Sequence, residues 1–63
     1  MTKQEKTALN MAKFIQGQSL LLLEKLNELN LDLEADMCEK LHADAEMLCS
    51  TLYGRLNALQ DAG

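Results

Sequence analysis

The chain has 63 residues, no Pro, three Gly, 48% hydrophobic and 3% aromatic residues, and a formal net charge of −4. That length allows one small domain, which buries only about 60% of its unfolded surface, and it leaves little room for an enclosed substrate pocket. The acidic balance argues against indiscriminate polyanion binding, and the longest apolar run, residues 20–23, is far short of the roughly 20 residues of a membrane span.

A first helix is predicted over about residues 3–29. Thr2 and Glu5 form the T-x-x-E pattern of a capping box at its start. Ala8, Ala12, Ile15, Ser19, Leu22, Leu26 and Leu29 then recur at spacings of three and four, an a/d seam. Roughly opposite lies a second stripe: Lys3, Asn10, Phe14, Gln18 and Lys25. Solvated helix faces are usually Glu/Lys mixtures, so the only Phe of the chain, framed by amides and lysines, marks a surface that touches something. Gly17 interrupts this polar side at a cost of about 1 kcal/mol relative to Ala. It reads either as a tolerated surface glycine or as a gap for a ligand's close approach. Residues 1–29 carry four Lys and three Glu, a net of +1, whereas residues 30–63 carry two cations and seven acids, a net of −5. Any nucleic-acid contact is therefore expected on the first helix and selected by shape.

Asn30-Leu31-Asp32 is the only turn signal, and it places a turn at about residues 30–32. Asn tolerates the left-handed conformation that ends helices, and Asp32 suits the N-cap of the next helix. A connection this short makes the two helices antiparallel neighbours.

The second helix is predicted over about residues 33–60, with a frayed C-terminus at Ala62 and Gly63. Leu31, Cys38, Ala45 and Leu52 occupy a positions, Leu41 and Leu48 occupy d positions, and Leu56 and Leu59 continue the apolar stripe. Small a residues (Ala12, Ser19, Cys38, Ala45) alternate with large d residues (Ile15, Leu22, Leu41, Leu48), a pattern that interdigitates where four helices meet. Two helices cannot cover these side chains. The expected architecture is an all-α hairpin that dimerises into an antiparallel left-handed four-helix bundle, with a core of Ala8, Ala12, Ile15, Ser19, Leu22, Leu26, Leu29, Cys38, Leu41, Ala45, Leu48 and Leu52. Leu21, Leu33, Met37 and Met47 fall off this seam and are not explained by it.

Two cysteines and no apolar leader behind the basic N-terminal residues point to a soluble, internal, reducing environment. Cys38 reads as a small core hydrophobe, and Cys49 as less buried and open to interchain oxidation. The two lie about 16 Å apart along one helix, too far for an internal disulfide. Glu39-x-x-His42 has the spacing of a di-iron ligand pair, but it lies off the a/d seam and no second inward Glu accompanies it, so no metal or cofactor is expected. A single His and no nucleophile–base grouping argue against an enzyme.

Most of the chain resembles the Rop family (repressor of primer, RNA one modulator) of ColE1-type plasmids. The likeness is strong over Met1-Thr-Lys-Gln-Glu-Lys-Thr-Ala-Leu-Asn-Met-Ala12, Phe14-Ile15, Gln18 and Leu22-Leu-Glu-Lys-Leu-Asn-Glu-Leu29. It continues through Asp32, Ala35-Asp36, Cys38-Glu39, Leu41-His42, Ala45, Leu48 and Arg55, and it weakens after residue 49. The resemblance implies a homodimer in the bacterial cytoplasm that stabilises a loop–loop (kissing) complex of an antisense RNA with the replication primer precursor and so lowers plasmid copy number. It implies Lys3, Asn10, Phe14, Gln18 and Lys25 as the RNA contacts, with Lys6 and Lys13 adding nonspecific attraction; DNA and membranes are not expected partners. Lys13 stands where the family carries Arg, which keeps charge without bidentate geometry, and Gln16 stands where a second Arg is expected. The competing reading is a structural or protein-interaction bundle whose off-seam Leu and Met bind another helix. RNA binding depends steeply on salt and on Lys, whereas helix binding does not.

Overall fold

The computed structural model describes the backbone of residues 1–62 and the side chains through residue 58. It is a helical hairpin: α1 (Lys3–Glu28), a short turn and α2 (Asp32–Ala62). The expected place of Leu59 on the apolar stripe and the frayed end at Gly63 lie outside the described side chains and residues; α2 itself runs through Ala62, two residues beyond Gln60.

Local chemistry sets both ends of α1. The Glu5 backbone N–H donates to Thr2 Oγ1 at 3.1 Å and the Thr2 N–H donates to Glu5 Oε1 at 2.7 Å, a complete capping box. At the other end Asn30 takes a φ of 60°. The Asn30 N–H donates to the Asn27 carbonyl at 3.1 Å and the Leu31 N–H to the Leu26 carbonyl at 3.0 Å. These two bonds, with a left-handed residue between Leu29 and Leu31, are a Schellman motif closed by Asn rather than Gly. The first bond of α2 runs from the Ala35 N–H to the Leu31 carbonyl at 2.8 Å. Leu31 therefore holds the N-cap position and Asp32 is the first helical residue, one place later than the cap its side chain suggests. Asp32 and Glu34 still lie at the positive end of the helix dipole.

Ser19 meets His42, while Leu9 and Ala12 pack with Cys49, Leu52 and Leu56, so α2 runs back along α1. The seam between the helices consists of Leu9, Ala12, Gln16, Ser19, Leu23 and Leu26 on α1 and Ala35, Cys38, His42, Ala45, Cys49, Leu52 and Leu56 on α2, each buried or half-buried. This seam uses the a and e positions of the heptad. Ala12, Ser19, Leu26, Cys38, Ala45 and Leu52 belong both to it and to the expected a/d core. The d residues turn out of the hairpin: Ala8 is exposed, and Ile15, Leu22, Leu29, Leu41 and Leu48 are 48–59% exposed. Cys49 is buried, contrary to the expectation of an oxidisable surface thiol, because its e position faces Leu9 and Ala12 rather than solvent.

The Cα envelope measures 49 × 16 × 10 Å, with a radius of gyration of 14.5 Å. A compact chain of this length has a radius near 11 Å. The shortest Cα dimension is below the ~13 Å that two stacked helix layers need, an interaxial distance of about 8–10 Å plus a Cα cylinder of about 4.6 Å. The hairpin is thus a single layer, and a stable core needs a second. The d residues form an apolar ridge along the open side. A trench of about 390 Å³ lined by Leu22, Leu26, Glu34, Met37, Cys38 and Leu41 runs beside it.

Candidate nucleic-acid interface

Lys3, Asn10, Phe14, Gln18 and Lys25 all project from α1 as exposed side chains, with Phe14 67% exposed. At 100° per residue they fall within an arc of about 80°, centred nearly opposite the face that packs on α2. From Lys3 to Lys25 the arc is about 33 Å long. No carboxylate lies on it between these lysines: Glu5 turns toward the α2 side and Glu24 lies on the far flank. Glu28 borders its end, where it pairs with Lys25 at 3.2 Å with both side chains about two-thirds exposed. A pair so open to water contributes little and leaves the lysine free to exchange partners.

Lys6 and Lys13 lie elsewhere. Helical phase puts them about 80–100° from the centre of the arc, on the opposite flank from the ridge. The Lys13 ammonium sits 5.9 Å from the centroid of the Tyr53 ring on α2, a cation–π contact across the hairpin. The structure brings neither lysine onto the stripe.

Three residues on or beside the arc were not singled out as contacts by residue type. Thr7, Met11 and Ile15 join Asn10 and Phe14 around a shallow groove of about 320 Å³ that links the polar stripe to the apolar ridge. The Thr7 hydroxyl donates locally to the Lys3 carbonyl at 2.9 Å. Leu21 is 57% exposed and lies five full turns after Lys3, in line with it. Helical phase, rather than residue type, is the signal that finds these positions.

The polar chemistry inside the hairpin gathers at Ser19. Its hydroxyl donates to the Gln16 carbonyl at 2.8 Å and lies 2.7 Å from His42 Nδ1, and its carbonyl accepts from Cys38 Sγ at 3.4 Å. The tautomer of His42 sets which of Ser19 Oγ and Nδ1 donates in the bond between them. His42 Nε2 faces Glu46 Oε2 at 3.5 Å. His42 is therefore a half-buried e residue bonded across the helix pair, not an outward member of a Glu39–His42 ligand set. Among the described residues no three His, Cys, Asp or Glu side chains gather as a metal site, and no helix is long and apolar enough to cross a membrane.

These features define a helical-hairpin protein with one carboxylate-free outer face and one open apolar ridge. The chain belongs to the Rop protein family, whose model matches residues 1–57 and so includes the stripe, the turn and the ridge. It is 62% identical over 55 residues to the regulatory protein rop of Escherichia coli, an alignment covering 87% of each chain.

Proposed function

We propose that this chain is an RNA-binding regulator of plasmid copy number that acts as a homodimer in the bacterial cytoplasm. The carrying observation is the segregation of charge on α1. In an acidic chain, the outward arc from Lys3 to Lys25 holds lysines, amides and an exposed Phe14 and no carboxylate. Family membership and a relative named a regulatory protein support the regulatory role.

The ridge and trench support pairing with a second hairpin. The d residues of two copies, about half exposed in one, would close an antiparallel left-handed four-helix bundle. A two-fold dimer with its two α1 helices on one side doubles the stripe. The proposed ligand, a loop–loop complex of an antisense RNA and the primer precursor, has an approximate two-fold of its own. Lys3 and Lys25 supply point charges for phosphates. Asn10 and Gln18 carry both donors and acceptors for ribose hydroxyls and phosphates. Phe14 packs on distorted or unstacked nucleotides. A protein that binds the paired hairpins and not the separate ones stabilises the pair by about 2.7 kcal/mol at a free concentration 100-fold above Kd. That gain lengthens the life of the inhibitory complex.

A gel-shift titration with two complementary hairpins that pair through their loops, beside each hairpin alone, tests this reading. Selective, salt-sensitive retardation of the pair, lost in a Phe14→Ala, Gln18→Ala double variant, is expected. No retardation at micromolar protein from a folded dimer would overturn it and leave a structural bundle as the account.

A further inference from the structure

We infer that Leu21 is a further contact on the RNA face, an apolar one that packs against ribose or base carbon and adds affinity without adding charge. The inference rests on the RNA reading of the α1 stripe and deepens it.

Its basis is position. Lys3, Asn10, Phe14, Gln18 and Lys25 are spread around a mean helical direction, and Leu21 lies about 20° from that mean, nearer than Gln18 does. Along the axis it sits about 10 Å beyond Phe14 and about 6 Å before Lys25. A ligand that spans Phe14 and Lys25 together must pass over it. The side chain is 57% exposed, and it belongs neither to the seam with α2 nor to the d ridge. Nothing in the hairpin accounts for a leucine there, and a second hairpin on the ridge would lie to one side of it. The flanking groups bear on the occupant's chemistry: Gln18 and Lys25 adjoin Leu21 on the stripe, while the carboxylate of Glu24, three residues on, borders it from the flank away from the ridge. A polyanion with exposed sugar and base carbons suits lysines at the ends and apolar side chains in the middle. Leu21 has no donor or acceptor, so it rewards a ligand that presents carbon at that point. The distorted backbone of a loop–loop junction does so more readily than a regular duplex, whose bases are stacked away.

The test is the affinity for the paired hairpins at several salt concentrations, measured for the full-length protein and for Leu21→Ala, Leu21→Met and Leu20→Ala. Leu20 is also exposed, at 44%, but lies on the flank away from the stripe. Leu21→Ala is expected to weaken binding by at least about fivefold, the factor for losing roughly half a leucine's burial, with the slope against salt unchanged. Leu21→Met should restore most of the loss, and Leu20→Ala should bind like the parent. Binding by Leu21→Ala equal to the parent's would overturn the inference while leaving the RNA reading intact. Equal losses in Leu20→Ala and Leu21→Ala would also overturn it, by showing a general effect on the helix. Failure of the parent protein itself to bind the pair would remove both the inference and the reading beneath it.

Discussion

At the scale of single residues, the ends of α1 and its one interior glycine yield direct expectations. Gly17 has open space around it: a Cβ added there meets nothing within 4 Å. Gly17→Ala should therefore stabilise the protein by about 0.5–1 kcal/mol through backbone entropy, read as a higher urea midpoint. A destabilised variant would contradict this. The capping box carries a pH signature. Glu5 titrates below its ordinary range because the Thr2 backbone N–H donates to its carboxylate, with the Thr2 side chain adding to the effect. A lowered folded value means stability that is present above the unfolded carboxylate range and lost as pH falls through the folded value. Thr2→Ala should cost about 1 kcal/mol near neutral pH by loss of the cap. Glu5→Gln keeps the shape of the cap and removes the charge, so the thermal midpoints of parent and Glu5→Gln should differ near neutral pH and converge as falling pH protonates the parent's carboxylate; a gap independent of pH would show that the carboxylate takes no part. Residue-level signals of this kind are also the most legible in sequence. T-x-x-E and Asn30 predict the cap and the left-handed turn that the structure contains. Asp32 misleads by one position, because the Leu31 carbonyl, not side-chain preference, opens α2.

At the scale of elements, the spacing of apolar residues identifies two helices but not which neighbour each stripe meets. Most residues at a, d and e are apolar or small, with Gln16 and His42 the polar members of the e row, and a bundle helix has more than one neighbour. Two seams that share the a positions are therefore written on the same surface. Ala12, Ser19, Cys38 and Ala45 are buried under either choice. Leu9, Cys49 and Leu56 are buried only because the intrachain seam is a/e. His42 was not legible as an inward residue. A polar e side chain reads as solvated until its partner is known, and that partner, Ser19, is 23 positions away in sequence. The d ridge predicts how copies pair. Leu41→Glu puts a carboxylate into a 54%-exposed apolar ridge on each protomer and should yield monomer mass with reduced helicity in analytical ultracentrifugation and circular dichroism. Leu33→Glu changes an even more exposed leucine, at 68%, off the ridge and should leave the dimer intact. A Leu41→Glu dimer as stable as the parent's would place the interface elsewhere.

At the scale of the whole molecule, the proposed function rests on a division of labour between the helices. The acids concentrate in the second half of the chain, and α1 keeps a carboxylate-free face about 33 Å long. On the proposed reading, general repulsion from the rest of the protein would suppress unselective RNA binding, while the local face would offer cations, amides and apolar contacts to a ligand of matching shape. The stripe could be read from sequence because helical phase is regular over 26 residues. Lys6 and Lys13 lie off it by the same helical phase; what residue type could not give is the contact of Lys13 with Tyr53, which depends on where α2 packs. Lys25→Ala should weaken binding to the paired hairpins and reduce the slope of log affinity against log salt by about 1 for each lysine lost from the interface. The most direct measurement is a nuclear magnetic resonance titration of isotope-labelled protein with the preformed RNA pair. Shifts concentrated at Asn10, Phe14, Gln18 and Lys25, with α2 little changed, are the predicted result. Shifts centred on α2, or none at saturating RNA, would contradict the account.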